Sequence, residues 1–364
     1  MPLFKQPAYI SPSPVTATIG GTFQLPIPPT VIVPAYNIQD GSEIVETGRG
    51  IWVNNFDYYG TSAVGATSFS LSDIEGAYGS VMASLPSSIT TISAPNLVYL
   101  GSSSFGAAPT TYASLTSISL PKLRIAGTLF GSNTMNALTS LDLSSLISVS
   151  FSPTSINGLI SLSLPSVKFL VTLSITSATS LTSISTPSLV SVSQLSLGTL
   201  SACTTWTLPT LGTWKVLASS FTITSCAFNQ TTVDNILAAL AYMDGTNNTL
   251  AFSSGRTITI TGTSSAPSNA GSTTTAGSNF VGSTTTCTVN LTSHGYATGD
   301  VLRVSGITTL TNANRYAVIT VVNANQFTYT ITSQTATGAG TATIVKAGAS
   351  AKALVTRGVT LTTN

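Results

Sequence analysis

Charged side chains are scarce: Asp, Glu, Lys and Arg make up 6% of the 364 residues, against 42% hydrophobic. Between Ile125 and Trp214 only Asp142 and Lys168 carry charge. A net charge of +2 with no cluster of Lys or Arg argues against nucleic-acid binding, which rests on neutralising phosphates. Histidine occurs once, at His294, so a Ser-His-Asp triad or a His-ligated metal could rest only on that residue. It stands beside Gly295 and reads as part of a turn. Cys203, Cys226 and Cys287 make no disulfide framework and match no zinc spacing; they read as small buried residues. No run of about 18 apolar residues occurs, so no helix is expected to span a membrane. Met1-Pro-Leu-Phe-Lys-Gln lacks the basic-then-apolar leader of a signal peptide, so export by that route is not expected. No phosphate loop or dinucleotide fingerprint is present, and no catalytic, cofactor or metal residue is assigned.

What is present is a repeat, apolar-x-x-apolar-Ser-Leu-Pro-x-Leu, running from Ser88 to Leu211. Its markers are Pro95, Pro121, Ser144, Pro165, Pro187 and Pro209, spaced 21 to 26 residues apart, the period of leucine-rich-type solenoid coils. None of the six coils could bury its apolar side alone, so they are expected to stack. Within a copy the period is two: Ile118 and Leu120 point in, Ser117 and Ser119 out. Stacking makes an inward column of Ile92, Ile118, Leu141, Leu162, Ile184 and Trp206, with outward columns of Ser and Thr whose hydroxyls are expected to bond along the face. Proline ends each strand, having no N–H for the ladder. A second alternating run follows each marker, as in Val171-Thr-Leu-Ser-Ile175, so each coil is expected to hold two short strands and no helix. A porin-like barrel of alternating strands fits this stacking less well. The copies resemble bacterial-surface-type leucine-rich repeats over about a third of the chain, with Pro or Ser where the commoner pattern has an Asn ladder. That departure favours an all-β coil over a helix-backed horseshoe.

Around the coils, residues 1–36 hold eight prolines among apolar residues and read as an extended arm, held by the first coil or by a partner. Residues 37–87, with clustered charges and aromatics, read as an N-terminal cap. Asp73 and Glu75 there fall on one face of a strand, and such a carboxylate pair is the one feature an enzymatic reading could use. The solenoid is taken as 88–226 and a C-terminal cap as 227–271 plus 348–364. In that cap Val233, Ile236, Leu237 and Leu240 lie at helical spacing behind Thr231 as N-cap, Arg256 to Thr261 reads as a strand, and Ser350 to Gly358 as a second helix. Residues 272–347 begin with a Ser/Thr/Gly linker, Ser272 to Ser278, and continue as closely spaced strands, a small barrel or sandwich inserted in the cap.

The run from His294-Gly-Tyr-Ala-Thr-Gly-Asp300 through Tyr316-Ala-Val-Ile-Thr-Val-Val to Gln326-Phe-Thr-Tyr resembles a module recurring in phage tail, fibre and virion proteins. That module is often described as similar to a half-domain of ubiquitin-activating enzymes, and carries no ubiquitin chemistry. The flanking Ala266-Pro-Ser-Asn-Ala-Gly271 and Thr356-Arg-Gly-Val-Thr-Leu-Thr-Thr-Asn364 resemble the C-terminal cap of leucine-rich-repeat proteins in phage genomes. The resemblance implies a non-enzymatic phage structural protein, made in the host cytoplasm and placed on the virion surface as a capsid decoration or head fibre. Its arm residues Leu3, Phe4, Tyr9, Ile10, Leu25, Ile27, Val31, Ile32 and Val33 would grip the major capsid protein or another virion protein by apolar and main-chain contacts. A tail-fibre adhesin binding a host-surface glycan or protein stays open, as do self-association and a glycan depolymerase using the Asp73 and Glu75 carboxylates.

Overall fold

The structure, a computed structural model, describes residues 16–19, 22–24, 44–46, 51–53, 56–57, 67–71, 74–77, 81–83, 85, 88–101, 111–209, 215–216, 220–242 and 256–363. They are mostly β, with two α-helices, and form two compact units: Met1–Thr213 with Ser225–Ala227, and Trp214–Thr224 with Phe228–Asn364.

The first unit is a parallel β-solenoid of about five turns. On one face Ser68–Leu71, Thr91–Ser93, Ser117–Ser119 and Ser140–Asp142 pair in parallel, and Ser161–Ser163, Ser183–Ser185 and Thr205–Thr207 form a second ladder. The ladder is interrupted between Asp142 and Ser161. On the other face Ile51–Val53, Ile74–Ala77, Tyr99–Leu100, Ile125–Leu129, Ser148–Phe151, Phe169–Ser177 and Ser191–Thr199 pair without a break. Strands from the 37–87 stretch thus lie in coil register on both faces.

The repeated Leu-Pro-x-Leu is a β-turn: Leu123 N–H donates to the Leu120 carbonyl at 3.1 Å, and Val167 N–H to Leu164 at 3.3 Å. Proline suits the second position because its fixed φ matches the turn. A second turn precedes the first-face strands from Ser117–Ser119 to Thr205–Thr207, as in the Leu138 N–H to Met135 carbonyl bond of 3.1 Å. Leu115, Leu138, Leu159, Leu181 and Cys203 stack beneath it, and Leu97, Leu123, Leu146, Val167 and Leu189 beneath the Pro turn, all buried. Each such aliphatic contributes about 1.5–3 kcal/mol by leaving water. The coil of Ser148–Phe151 is a residue short there: its buried pair is Val149 and Phe151, where neighbours use Ala126 and Leu129 or Leu170 and Leu173. The neighbours absorb the extra residue as a bulge. Gly158 marks a close approach, since a Cβ there would lie 2.6 Å from the Asn136 carbonyl oxygen of the coil before.

Part of the expected arm is a hairpin, Thr16–Ile19 with Thr22–Gln24, whose first strand pairs antiparallel with Ser68–Leu71.

In the second unit, Thr257–Gly262 and Thr360–Thr363 pair in parallel. Between them the chain forms a four-stranded antiparallel sheet (Asn269–Ala276, Gly340–Ala347, Val301–Ile307, Tyr316–Val318) and a five-stranded one (Thr320–Asn323, Gln326–Thr330, Thr286–Asn290, Phe280–Ser283, Ala336–Thr337). Phe280, Val289, Leu302, Val304, Phe327 and Ile344 fill a core shared by both sheets. The Ser/Thr/Gly stretch expected as a linker is therefore mostly the strand Asn269–Ala276. Helix α1, Gln230–Tyr242, is capped by Asn229, whose Oδ1 accepts from Thr232 N–H at 2.9 Å, rather than by Thr231. Helix α2, Ala349–Thr356, ends in a Schellman motif: Gly358 N–H donates to Val355 and Val359 N–H to Leu354, with Gly358 at φ +82°.

Candidate interaction surfaces

The solenoid's hydroxyls do their bonding one residue before the columns expected. Thr90 Oγ1 donates to the Thr67 carbonyl at 2.7 Å, Thr116 to Thr90 at 3.0 Å, Thr139 to Thr116 at 3.3 Å, and Thr182 to Ile160 at 3.0 Å. Each threonine thus bonds the carbonyl one coil back, beside the backbone ladder. Ile160 occupies the equivalent position in its coil, has no hydroxyl to give Thr139, and is 61% exposed. The interruption of the ladder falls at this coil.

At the other turn an asparagine ladder does occur, displaced from where the repeat pattern would put it. Asn136 Oδ1 accepts from Ser155 Oγ and from Asn157 N–H, and Asn157 Oδ1 accepts from Ser177 Oγ at 2.9 Å and Thr179 N–H at 3.1 Å. These bonds hold the turns of successive coils in register.

The second face carries an apolar stripe across several coils. Ile125 (46% exposed), Phe169 (45%) and Val171 (54%) sit on its strands, and Val190 precedes the last of them. Ile125 and Phe169 share one column, with Ser148 between them. Arg124 and Lys168, both exposed, stand one residue earlier in the same coils. Val171 owes its exposure to the bulge, which places Leu170 and Leu173 inward and leaves Val171 and Thr172 between them. Strict alternation along Val171-Thr-Leu-Ser-Ile175 puts Val171 on the inward side with Leu173 and Ile175, and the bulge overturns that. The usable signal was the excess of apolar residues in Val167-Lys-Phe-Leu-Val-Thr-Leu173 over what one inward phase can hold.

The arm residues Leu3, Phe4, Tyr9, Ile10, Leu25, Ile27, Val31, Ile32 and Val33, and Asp73, lie outside the described residues. Glu75 is on the strand Ile74–Ala77 and accepts Val98 N–H through its backbone carbonyl at 2.7 Å. His294 is tied into its turn: Nδ1 accepts from Tyr296 N–H at 3.0 Å, and Nε2 donates to the Asn323 carbonyl at 3.0 Å. Its ring stacks on Tyr296 and meets Phe327 edge-on. All three cysteines are buried and none is in a disulfide, and burial pushes the Cys203 thiol up to about 11 and that of Cys226 up to about 12. Comparison with family models, with curated proteins and with solved structures finds no match.

Proposed function

We propose that this is a non-enzymatic structural protein of a phage virion, a capsid decoration or head fibre on the particle surface. In this reading six coils are closed by the cap of residues 227–271 and 348–364, and the two small sheets are a barrel-like module inserted in that cap. The N-terminal segment and the solenoid's apolar stripe bind the shell, and the module is displayed. The observation that carries it is the stripe Ile125, Phe169, Val171 and Val190, an apolar surface on a solenoid whose outward strand positions are mostly Ser and Thr. Apolar surface spread over several coils suits a protein partner. The resemblance of the segments around His294 to Asp300 and Tyr316 to Tyr329 to phage virion modules supports the setting.

The test is incorporation into particles. Deleting residues 1–36, or changing Phe169 and Val171 together to Asp, is expected to abolish loading while circular dichroism of the free protein keeps its β signature. Normal occupancy with both variants would refute the reading.

A further inference from the structure

The strand Asn269–Ala276 stands at the end of its four-stranded sheet and pairs with Gly340–Ala347 on one side alone. It is 8 residues long, whereas every other strand at a sheet end among the described residues has 4 or fewer. Exposed edges are ordinarily blunted by a charge or a proline, because their main-chain groups otherwise template another strand. This edge holds neither, and Gly271 to Thr274 are all exposed. Its one irregularity falls between Asn269 and Ser272, where Gly271 has φ +124°, so residues 272–276 pair in regular register.

The ladder fixes which main-chain groups face outward. Val304 N–H donates to the Arg315 carbonyl at 2.9 Å, so Val304 points toward Tyr316–Val318, and its neighbours Arg303 and Ser305 point toward Gly340–Ala347. Successive residues of a strand point opposite ways, so Ile344 and Ala342 turn to their partners Thr273 and Thr275. Ser272, Thr274 and Ala276 therefore aim their N–H and C=O groups away from the sheet. The far end of the strand is pinned, since Thr275 Oγ1 accepts from Asn279 Nδ2 at 2.7 Å.

We propose that a second copy of this chain adds to this edge, the two 272–276 segments running antiparallel about a two-fold axis at Thr274. In that register Thr274 faces Thr274 of the second copy and Ser272 faces Ala276. Each pair exchanges both N–H···O bonds, because the residues that meet are those whose main-chain groups point outward. Thr273 comes opposite Thr275, a cross-strand pair of the kind worth about 0.2–1 kcal/mol, and no like charges meet. A foreign peptide could use the same main-chain bonds, but the exposed side chains of Gly271 to Thr274 build no pocket to select it by sequence. The self-complementary run Ser-Thr-Thr-Thr-Ala selects its own copy. The inference goes beyond the virion reading and does not depend on it.

Sedimentation velocity on the full chain, from about 1 μM to about 1 mM, tests it, and a shift from monomer to dimer with rising concentration is expected. Thr274→Pro removes only an outward N–H, which an edge strand tolerates, and should weaken self-association by about tenfold or more. Phe169→Asp with Val171→Asp on the solenoid should leave it unchanged. Should Thr274→Pro fail to fold, two cysteine variants decide under oxidised glutathione, the native cysteines all being buried. Thr274→Cys brings its Cα to about 5.5 Å from the same atom of the second copy, within disulfide reach, and should crosslink at least about tenfold faster than Ser272→Cys, which faces Ala276 instead. A chain still monomeric at about 1 mM, its edge left to a strand of another protein, would overturn the proposal. So would a dimer that folded Thr274→Pro leaves intact, a dimer dispersed by the solenoid variant, or equal crosslinking of the two cysteine variants.

Discussion

Trp206 brings an indole N–H into a column otherwise filled by Ile and Leu, and the coil before it answers with a hydroxyl. Thr186 takes the place that Leu120, Leu143 and Leu164 hold in other copies, is fully buried, and accepts from Trp206 Nε1 at 2.9 Å. Two departures from the repeat are thus one exchange, because a buried donor without an acceptor costs about 1–3 kcal/mol. Thr186→Val should lower stability by about that amount in urea denaturation. Trp206→Leu combined with Thr186→Leu should recover part of it, and additive losses in that cycle would show the pair to be uncoupled. The inward column was legible in the sequence because alternation by two has only one inward phase. The Trp206 and Thr186 bond was not, because it joins residues 20 apart whose contact exists only after the coils stack.

At the scale of elements, the strands with a buried and an exposed side were legible, as Ser117–Ser119 and Ser183–Ser185 show. Asn269–Ala276 was not: it is an edge strand, and Gly271 to Thr274 are all exposed, so no alternation marks it. The apolar stripe escaped for a related reason, since outward Val or Phe looks like core. Helix α2 is held by charge as well as by packing. Asp300, 7% exposed at its side chain, accepts Lys346 at 2.7 Å from the neighbouring strand and Lys352 at 3.3 Å from the helix. Burial works against its ionisation. The hydrogen bonds from Lys346, the Ala297 N–H and Lys352 outweigh that and hold the carboxyl below the usual carboxylate range. Because the folded state lowers this pKa, the contribution is complete above the unfolded value of about 3.9 and is lost as pH falls through the folded value. Urea midpoints taken from pH 5 down to pH 2 should therefore drop in the native chain. Asp300→Asn should start lower and lose less over the same interval, and parallel curves would count against this role.

For the whole molecule, the shortage of charge decides how it responds to solution conditions. A solenoid with Asp142 and Lys168 as its only charges from Ile125 to Trp214 has little Coulomb energy for salt to screen at a Debye length of about 8 Å. On the virion reading, attachment should withstand molar NaCl and yield to urea. Release from intact particles by moderate salt alone would point to an ionic interface instead. The interruption between Ser140–Asp142 and Ser161–Ser163 bears on mechanics. Elsewhere along the stack each coil is sewn to the next on both faces, whereas here Ser148–Phe151 and Phe169–Ser177 carry the sheet pairing on one face alone. The solenoid is a spring stitched lopsidedly at that one turn, closed along Ser148–Phe151 and at the Asn136 and Ser155 turn but open beside Ile160, so a pull along its axis should part these two coils from the Ile160 side.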